Sequence, residues 1–584
     1  MQKPESSQNT FSLIWRIYLL AKPYKKSLVI SFLLTVSIAF LGPYRPYLMQ
    51  VAIDKYISAK DMNGLISISI WMGLLLLIQV LFQLVNTIVS NAIGQNVLRD
   101  LRTRVYEHII RSRISFFDKT PVGTLVTRSV SDIETIADVF SEGLINIAGD
   151  LLQIIFILIL MFGTEWRLSL VSLSVLPLLI YAGYVFKEKV RVSFEQVRNE
   201  VARLNTFVQE HIQGMHIVQL FNREAAEMKK FESINASHRH ANIRSIFYYS
   251  VFFPVVEIIA AVSVGLIVWY GASRIIHFET SAGVIVAFIM YVNMFFRPVR
   301  QIADRFNTLQ MGMVAAERIF KLTDDTDSSE PTSAYAPNKL SGNIEFKNVS
   351  FGYKVENPVL YDISFQLPAG RTLALVGETG SGKSTIVQLI NRFYEHQSGE
   401  IIIDGTPIEQ YDLETLRKHI AFVPQDVFLF SGSVLDNIRM FNTGITEQQV
   451  MNAALKTGAH EFISKLPDGY YQNVLERGLS LSTGQRQLLA FTRAWLYNPE
   501  VLILDEATAN IDYESERLIQ QATSVLMKNR TCIIIAHRLS TVVNADEILV
   551  LHQGEIIERG THHQLISSES LYKSLFEKQF ISVV

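Results

Sequence analysis

The chain has 584 residues, 49% hydrophobic and only 18% charged, with a formal net charge of −2 and a positive mean hydropathy. That length allows more than one domain, and the near-neutral balance gives no argument for a nucleic-acid partner. The single cysteine, Cys532, rules out an intrachain disulfide or a cysteine zinc cluster, and in the run Cys532-Ile533-Ile534-Ile535 it reads as a buried strand residue.

Charge is unevenly spread, with long uncharged tracts confined to the first half. Residues 1–26 carry Arg16, Lys22, Lys25 and Lys26 ahead of an apolar stretch over 28–44. A secretory signal is the competing reading, but the apolar run is too long and no small-residue cleavage site follows. About twenty apolar residues cross a bilayer. By that measure six spans are expected, near 27–50, 64–94, 137–162, 167–187, 247–272 and 281–306. Lys and Arg cluster at 22–26, 99–113, 187–203 and from 297 on, which are alternate ends of the spans. The positive-inside tendency makes that side the cytoplasm and places both termini there, as in a multi-pass protein of the cell (inner) membrane. The outer loops are short, whereas the inner connections, 95–136 and 188–246, are long and helical in pattern. At about 1.5 Å per residue they would stand tens of ångströms into the cytoplasm.

Two inner stretches read as docking elements: Phe116-Phe117-Asp118, leading through Gly123 and Arg128 to Asp132, and the series Glu210, Gly214, Phe221, Glu224 and Phe231. Aromatic residues in a charged connection need something to pack on; the alternative is solvated helix surface. Ionisable residues within spans are expensive and so informative. Arg45, Asp150 and Glu257 mark either a polar substrate pathway or pairing between helices, and Glu257, set between Val255-Val256 and Ile258-Ile259, is the best placed for a cationic substrate.

The transmembrane domain is expected over 1–322. A polar, acidic linker with Pro331 and Pro337 follows over 323–342. From 343 to 584 strands and helices alternate, which predicts an α/β domain with a mostly parallel sheet. Within it, Leu373-Ala374-Leu375-Val376 leads into Gly377-Glu378-Thr379-Gly380-Ser381-Gly382-Lys383-Ser384-Thr385, followed by an amphipathic run. Strand, glycine loop and helix form the setting of a phosphate-binding loop (Walker A): glycines let backbone N–H groups turn around an anion and the helix N-terminus adds positive potential. Lys383 suits the terminal phosphates of ATP and Ser384 suits Mg²⁺.

Leu502-Ile503-Leu504-Asp505-Glu506 is an apolar strand ending in two carboxylates. Ligands bind at the carboxyl ends of such strands. Asp505 suits Mg²⁺, and Glu506, one residue on, suits orienting or deprotonating the attacking water. His537 ends the strand begun at Cys532 and is a candidate contact to the γ-phosphate. Gln425, after Ala421-Phe422-Val423-Pro424, occupies the corresponding place on another strand end and counts with the metal and catalytic candidates. Tyr353, in Phe351-Gly352-Tyr353, offers an aromatic face to adenine.

Gly478-Leu479-Ser480-Leu481-Ser482-Thr483-Gly484-Gln485 is a second glycine-containing helix start, just upstream of the Asp505 strand. Here the sequence resembles the ATP-binding cassette (ABC) family, whose signature reads Leu-Ser-Gly-Gly-Gln, and the resemblance covers essentially the whole chain. The docking stretches look like coupling helices of ABC exporters, and Asp512 matches that family's D-loop. The resemblance implies a half-transporter for amphipathic drugs, lipids or peptides. ATP would lie between two such domains, held by the glycine loop of one and by Ser482, Gly484 and Gln485 of the other. A lipid flippase, or a subunit in which ATP only gates, are the rival readings. Two departures stand out: Thr483 replaces the first signature glycine, adding bulk and restricting the backbone, and Leu475 stands where related exporters often have glycine. By resemblance to two-gene multidrug exporters with one weakened site, a heterodimer is expected ahead of a homodimer.

Overall fold

The computed structural model describes residues 10–277, 280–325, 335–354, 356–505, 513–535 and 542–577. Two compact units result, one of Met1–Ile110 with Val122–Asp325, the other of Arg111–Pro121 with Thr326–Val584.

The described residues of the first unit are helical. Among the described residues five helical segments are long and apolar enough to cross a membrane, Lys22–Ile57, Met62–Ile110, Val122–Thr164, Trp166–Gln213 and Glu224–Ile276, and a shorter apolar stretch, Ala282–Pro298, opens the helix Ala282–Thr323. In hydrocarbon every backbone polar group must be satisfied within the segment, which forces these runs into helices. Leu74, Leu77, Leu81 and Leu84 of the second are all exposed, as on a helix whose solvent is lipid. At 53 residues the Glu224–Ile276 helix is about 80 Å long, more than twice the hydrocarbon thickness. The core packs Val256, Ile259 and Ile267 against Met161, Leu168, Phe288 and Tyr291. Asp54 seats the start of the last helix, accepting from Ser281 Oγ at 2.5 Å and from the Gly283 backbone N–H at 2.9 Å.

Asp150, Arg45 and Glu257, the ionisable residues singled out within the spans, have different surroundings. Asp150 is buried and pairs with Arg305 at 2.5 Å, a structural pairing. Arg45 is half-buried between the buried Pro43 and Pro46. Glu257 is exposed, although Val256, Ile259 and Ala260 beside it are buried. At the other end of the unit, Arg16 makes a two-pronged ion pair with Asp324 (2.8 and 2.9 Å) and lies 4.0 Å over the Phe320 ring, fastening the Thr10–Leu20 helix to the end of the Ala282–Thr323 helix.

In the second unit the strands are β1 (Ile344–Phe351), β2 (Leu360–Leu367), β3 (Thr372–Gly377), β4 (Ser398–Ile403), β5 (Thr406–Pro407), β6 (Ile420–Val423), β7 (Val501–Asp505), β8 (Thr531–Ile535), β9 (Glu547–His552) and β10 (Glu555–Gly560). One sheet has the order β10-β9-β3-β8-β7-β6, parallel except for β10. A second, antiparallel sheet has the order β2-β1-β4-β5. Parallel strands are buried on both faces, so β3, β7 and β8 are nearly continuous apolar runs, while β2 alternates buried and exposed positions. Cys532 is fully buried in β8, and burial pushes its thiol up to about 12, which leaves it inert at neutral pH.

The docking stretch divides. Arg111–Pro121 belongs to the second unit: Phe116 is buried, Tyr394 donates its hydroxyl to Asp118, and Arg113 lies 3.4 Å from Glu395. Gly123, Arg128 and Asp132 belong to the first, where Asp132 is buried and faces Arg318 at 3.6 Å. In the second docking stretch the short helix Met215–Leu220 leaves Ile217, Leu220 and the following Phe221 exposed.

Removing one member of a buried ion pair strands the other charge. Asp150→Ala is expected to lower stability by about 3–5 kcal/mol, and Asp150→Ala combined with Arg305→Met to recover most of the loss, read as thermal midpoints of the purified protein.

Candidate functional site

The site is organised by β3, the central partner of β8 and β9, and by the helix Lys383–Ile390 that follows it. Between them the loop packs too tightly for side chains. A Cβ on Gly377 would lie 2.3 Å from the Leu551 carbonyl oxygen, and Gly382, which caps the helix, sits at φ +104° with a would-be Cβ 2.5 Å from Leu360. Both positions need glycine for backbone reasons.

Lys383 is buried under this loop. Its Nζ donates to the Gly377 carbonyl at 2.7 Å and to the Glu378 carbonyl at 2.8 Å, with Ser381 Oγ at 3.5 Å. Burial pulls its pKa down, and the Asp505 carboxylate opposes that pull. The charges of Lys383 and Asp505 thus act on each other across the sheet, Asp505 ending β7 opposite Ile535 of β8. Ser381 and Thr385 are buried, while Glu378, Thr379, Gly380 and Ser384 are exposed at the mouth of the loop. A buried ammonium, a helix N-terminus and an open hydroxyl suit a polyphosphate, and Ser384, Asp505 and Gln425 each carry the kind of oxygen that a hard cation such as Mg²⁺ takes.

Gln425 is exposed two residues past the end of β6. Tyr353 is exposed beside the loop, its hydroxyl donating to Gln388 Oε1 at 2.5 Å and lying 3.2 Å from Thr385 Oγ1. Its ring meets Tyr394 edge-on at 5.0 Å, and Tyr394 is the residue bonded to Asp118. Tyr394 is absent from the sequence expectations; its signal is the pair Phe393-Tyr394 directly after the phosphate-loop helix. Burial and the Asp118 contact both raise the Tyr394 pKa, so it stays a hydrogen-bond donor throughout the physiological range. Glu506, Asp512 and His537 lie outside the described residues, directly or closely following the ends of β7 and β8.

The second anion candidate begins the helix Thr483–Tyr497. Ser482 and Gln485 form a reciprocal capping box: Ser482 Oγ accepts from the Gln485 N–H at 3.2 Å, and Gln485 Oε1 accepts from the Ser482 N–H at 2.9 Å. Gly484 is buried behind them. Thr483 is exposed and its hydroxyl accepts from Arg486 at 3.2 Å. The expected backbone restriction at Thr483 does not arise, because it is the first helical residue, a position with no need of glycine's freedom. Bulk is what remains of that departure. Leu475 differs: at φ +59°, ψ −176° it occupies a region that is essentially glycine's alone, with its side chain exposed.

Chains similar to this one were found by comparison. A model of the ABC transporter transmembrane region matches residues 28–299, and one described as ABC transporter matches residues 360–509. The uncharacterized ABC transporter ATP-binding protein YknV of Bacillus subtilis is 37% identical over 98% of this chain and 95% of its own length. The ATP-dependent lipid A-core flippase of Syntrophus aciditrophicus is 34% identical, covering 97% and 94%. The probable multidrug resistance ABC transporter ATP-binding/permease protein YheH of Bacillus subtilis is 35% identical, covering 89% and 77%.

Relief of the strain at Leu475 outweighs the entropic cost of glycine by about 1 kcal/mol. Leu475→Gly is therefore expected to raise the thermal midpoint of the ATP-hydrolysing domain, whereas Leu475→Val, β-branched at the same φ, should lower it; scanning calorimetry of the purified protein reads both.

Proposed function

The chain belongs to the ATP-binding cassette (ABC) transporter family and is a multi-pass, ATP-hydrolysing exporter, and from that premise we propose how it works. It acts as half of a dimer in the cell (inner) membrane, with its termini and the ATP-hydrolysing domain in the cytoplasm. Each ATP is held between two chains: by Lys383, the loop Gly377–Thr385 and Tyr353 of one, and by the helix start at Ser482, Gly484 and Gln485 of the other, with Asp512 at the contact.

Ser384, Asp505 and Gln425 would hold Mg²⁺, which when bound offsets phosphate charge. Glu506 takes the proton of the attacking water, while Lys383 and His537 stabilise charge developing on the γ-phosphate. Closure of the two ATP sites passes to the membrane helices through the docking segment Arg111–Pro121 and through Met215–Leu220, and hydrolysis resets the pair. ATP drives that shift because it binds the closed state more tightly than the open one. The observation that supports this reading is a phosphate-binding loop built around buried Lys383 in a chain fused to apolar membrane helices.

The cargo is amphipathic: a drug-like molecule, a lipid or a hydrophobic peptide. The names of the flippase and multidrug relatives support that class, and lipid flipping is the second reading. The two are told apart by vesicle assays with labelled lipid against dye. We favour a heterodimer over a homodimer, because the bulk of Thr483 would then face only one of the two ATP sites. Co-purification that yields one kind of chain with full, cooperative ATPase would reverse that preference.

Glu506→Gln is expected to cut ATP hydrolysis by about 100-fold or more and to leave bound ATP trapped, measured as steady-state turnover alongside nucleotide retention. Turnover near the wild-type rate would remove Glu506 from its role. Thr483→Gly is expected to raise turnover of the assembled complex, as a second composite site joins the first.

A further inference from the structure

The helix Thr483–Tyr497 carries Arg493 about 15 Å from its start. This half-buried guanidinium directs its donors at another segment. Its Nε donates to the Asn437 carbonyl at 2.7 Å, one terminal nitrogen to the Phe428 carbonyl at 3.1 Å and the other to Asn437 Oδ1 at 3.1 Å. Asn437, fully buried, extends the grip. Its Oδ1 accepts from the Phe430 N–H at 2.9 Å, and its Nδ2 donates to the carbonyls of Phe430 at 2.8 Å and Ser433 at 3.1 Å. Tyr497, one turn beyond Arg493, donates to the Arg439 carbonyl at 2.9 Å.

These bonds hold a stretch that has no ladder of its own. Residues 426–432 lack regular secondary structure and join Gln425 to the short helix Val434–Ile438. The Val474 N–H holds the Gly432 carbonyl at the far end at 2.9 Å, whereas the near end, three residues past Gln425, is held at the Phe428 carbonyl by Arg493. Leu429, fully buried, shares one core with Leu488 and Phe491 of the Thr483–Tyr497 helix. The segment leading from Gln425 therefore rides on that helix. An apolar side chain would fill the space at position 493; a charged fork, which is costly to desolvate, fixes direction as well as distance.

We propose that Arg493 is a positioning residue that makes the two ATP sites of the dimer answer to each other. The inference rests on the reading above, in which Gln425 serves the ATP held by its own chain and the Ser482 helix start serves the ATP held by the other. When the helix start closes on that second nucleotide, Arg493 carries the Phe428 carbonyl with it, and Gln425 is set in place at the first. Lysine keeps the charge but has no planar fork, so it cannot hold Phe428 and Asn437 together.

The test uses the assembled full-length complex in lipid nanodiscs with Mg²⁺ and a non-hydrolysable ATP analogue, read by backbone hydrogen exchange alongside steady-state ATP turnover. In the unaltered complex the analogue should slow exchange at 482–486 and at 427–433 together. In Arg493→Lys the protection at 482–486 should persist while that at 427–433 is lost, and kcat should fall about tenfold or more with KM for ATP nearly unchanged. If Arg493→Lys does not assemble, Tyr497→Phe takes its place, with the same split and a fall in kcat of about threefold. Protection at 427–433 that survives in the variant, or a KM that rises as kcat falls, overturns the proposal. Failure of the composite-site reading is distinct: the analogue would then leave 482–486 of the unaltered complex unprotected.

Discussion

The Lys383 ammonium, held under a loop of glycines by the carbonyls of Gly377 and Glu378, is the contact on which the second unit is built. Burying a cation requires several acceptors, and the loop can supply them only because Gly377 and Gly382 bring backbone where side chains would collide. β3 must therefore end at a fixed height, and β8 and β9 hold it there in register, Leu373 opposite Ile533 and Glu547. The same register carries Asp505 on β7 to a point where its charge is felt at Lys383. A phosphate group arriving there would meet an ammonium already out of water, whose bonds to loop carbonyls it can replace with its own oxygens.

From that loop a short chain of contacts runs outward. Tyr353 is tied to the phosphate-loop helix through Thr385 and Gln388, its ring abuts Tyr394, and Tyr394 is bonded to Asp118 in a segment that lies far away in sequence. Arg113 and Glu395 add an ion pair to the same junction. These contacts link the phosphate-loop helix side chain by side chain to Arg111–Pro121.

Local chemistry was readable from the residues wherever one backbone need dictated residue type. The glycine loop, the apolar runs of β3, β7 and β8, and the membrane helices all follow from steric or hydrogen-bond requirements that leave little choice of side chain. What depends on tertiary placement was not readable. The antiparallel sheet was not anticipated, because β1 and β2 alternate in a way that many half-buried strands share. Asp150 and Glu257 looked alike in sequence, yet one is paired with Arg305 and the other is exposed. Residue type at Thr483 suggests a backbone restriction, but as the first helical residue it needs no glycine, and the strain falls on Leu475, eight residues earlier.

On the proposed reading one chain holds two unlike half-sites for ATP and completes neither. The direct measurement is ATP turnover in lipid nanodiscs loaded either with a single chain or with the assembled pair. Turnover confined to the pair, with single-chain discs at background, is the predicted result. Equal rates per chain in both preparations would contradict it.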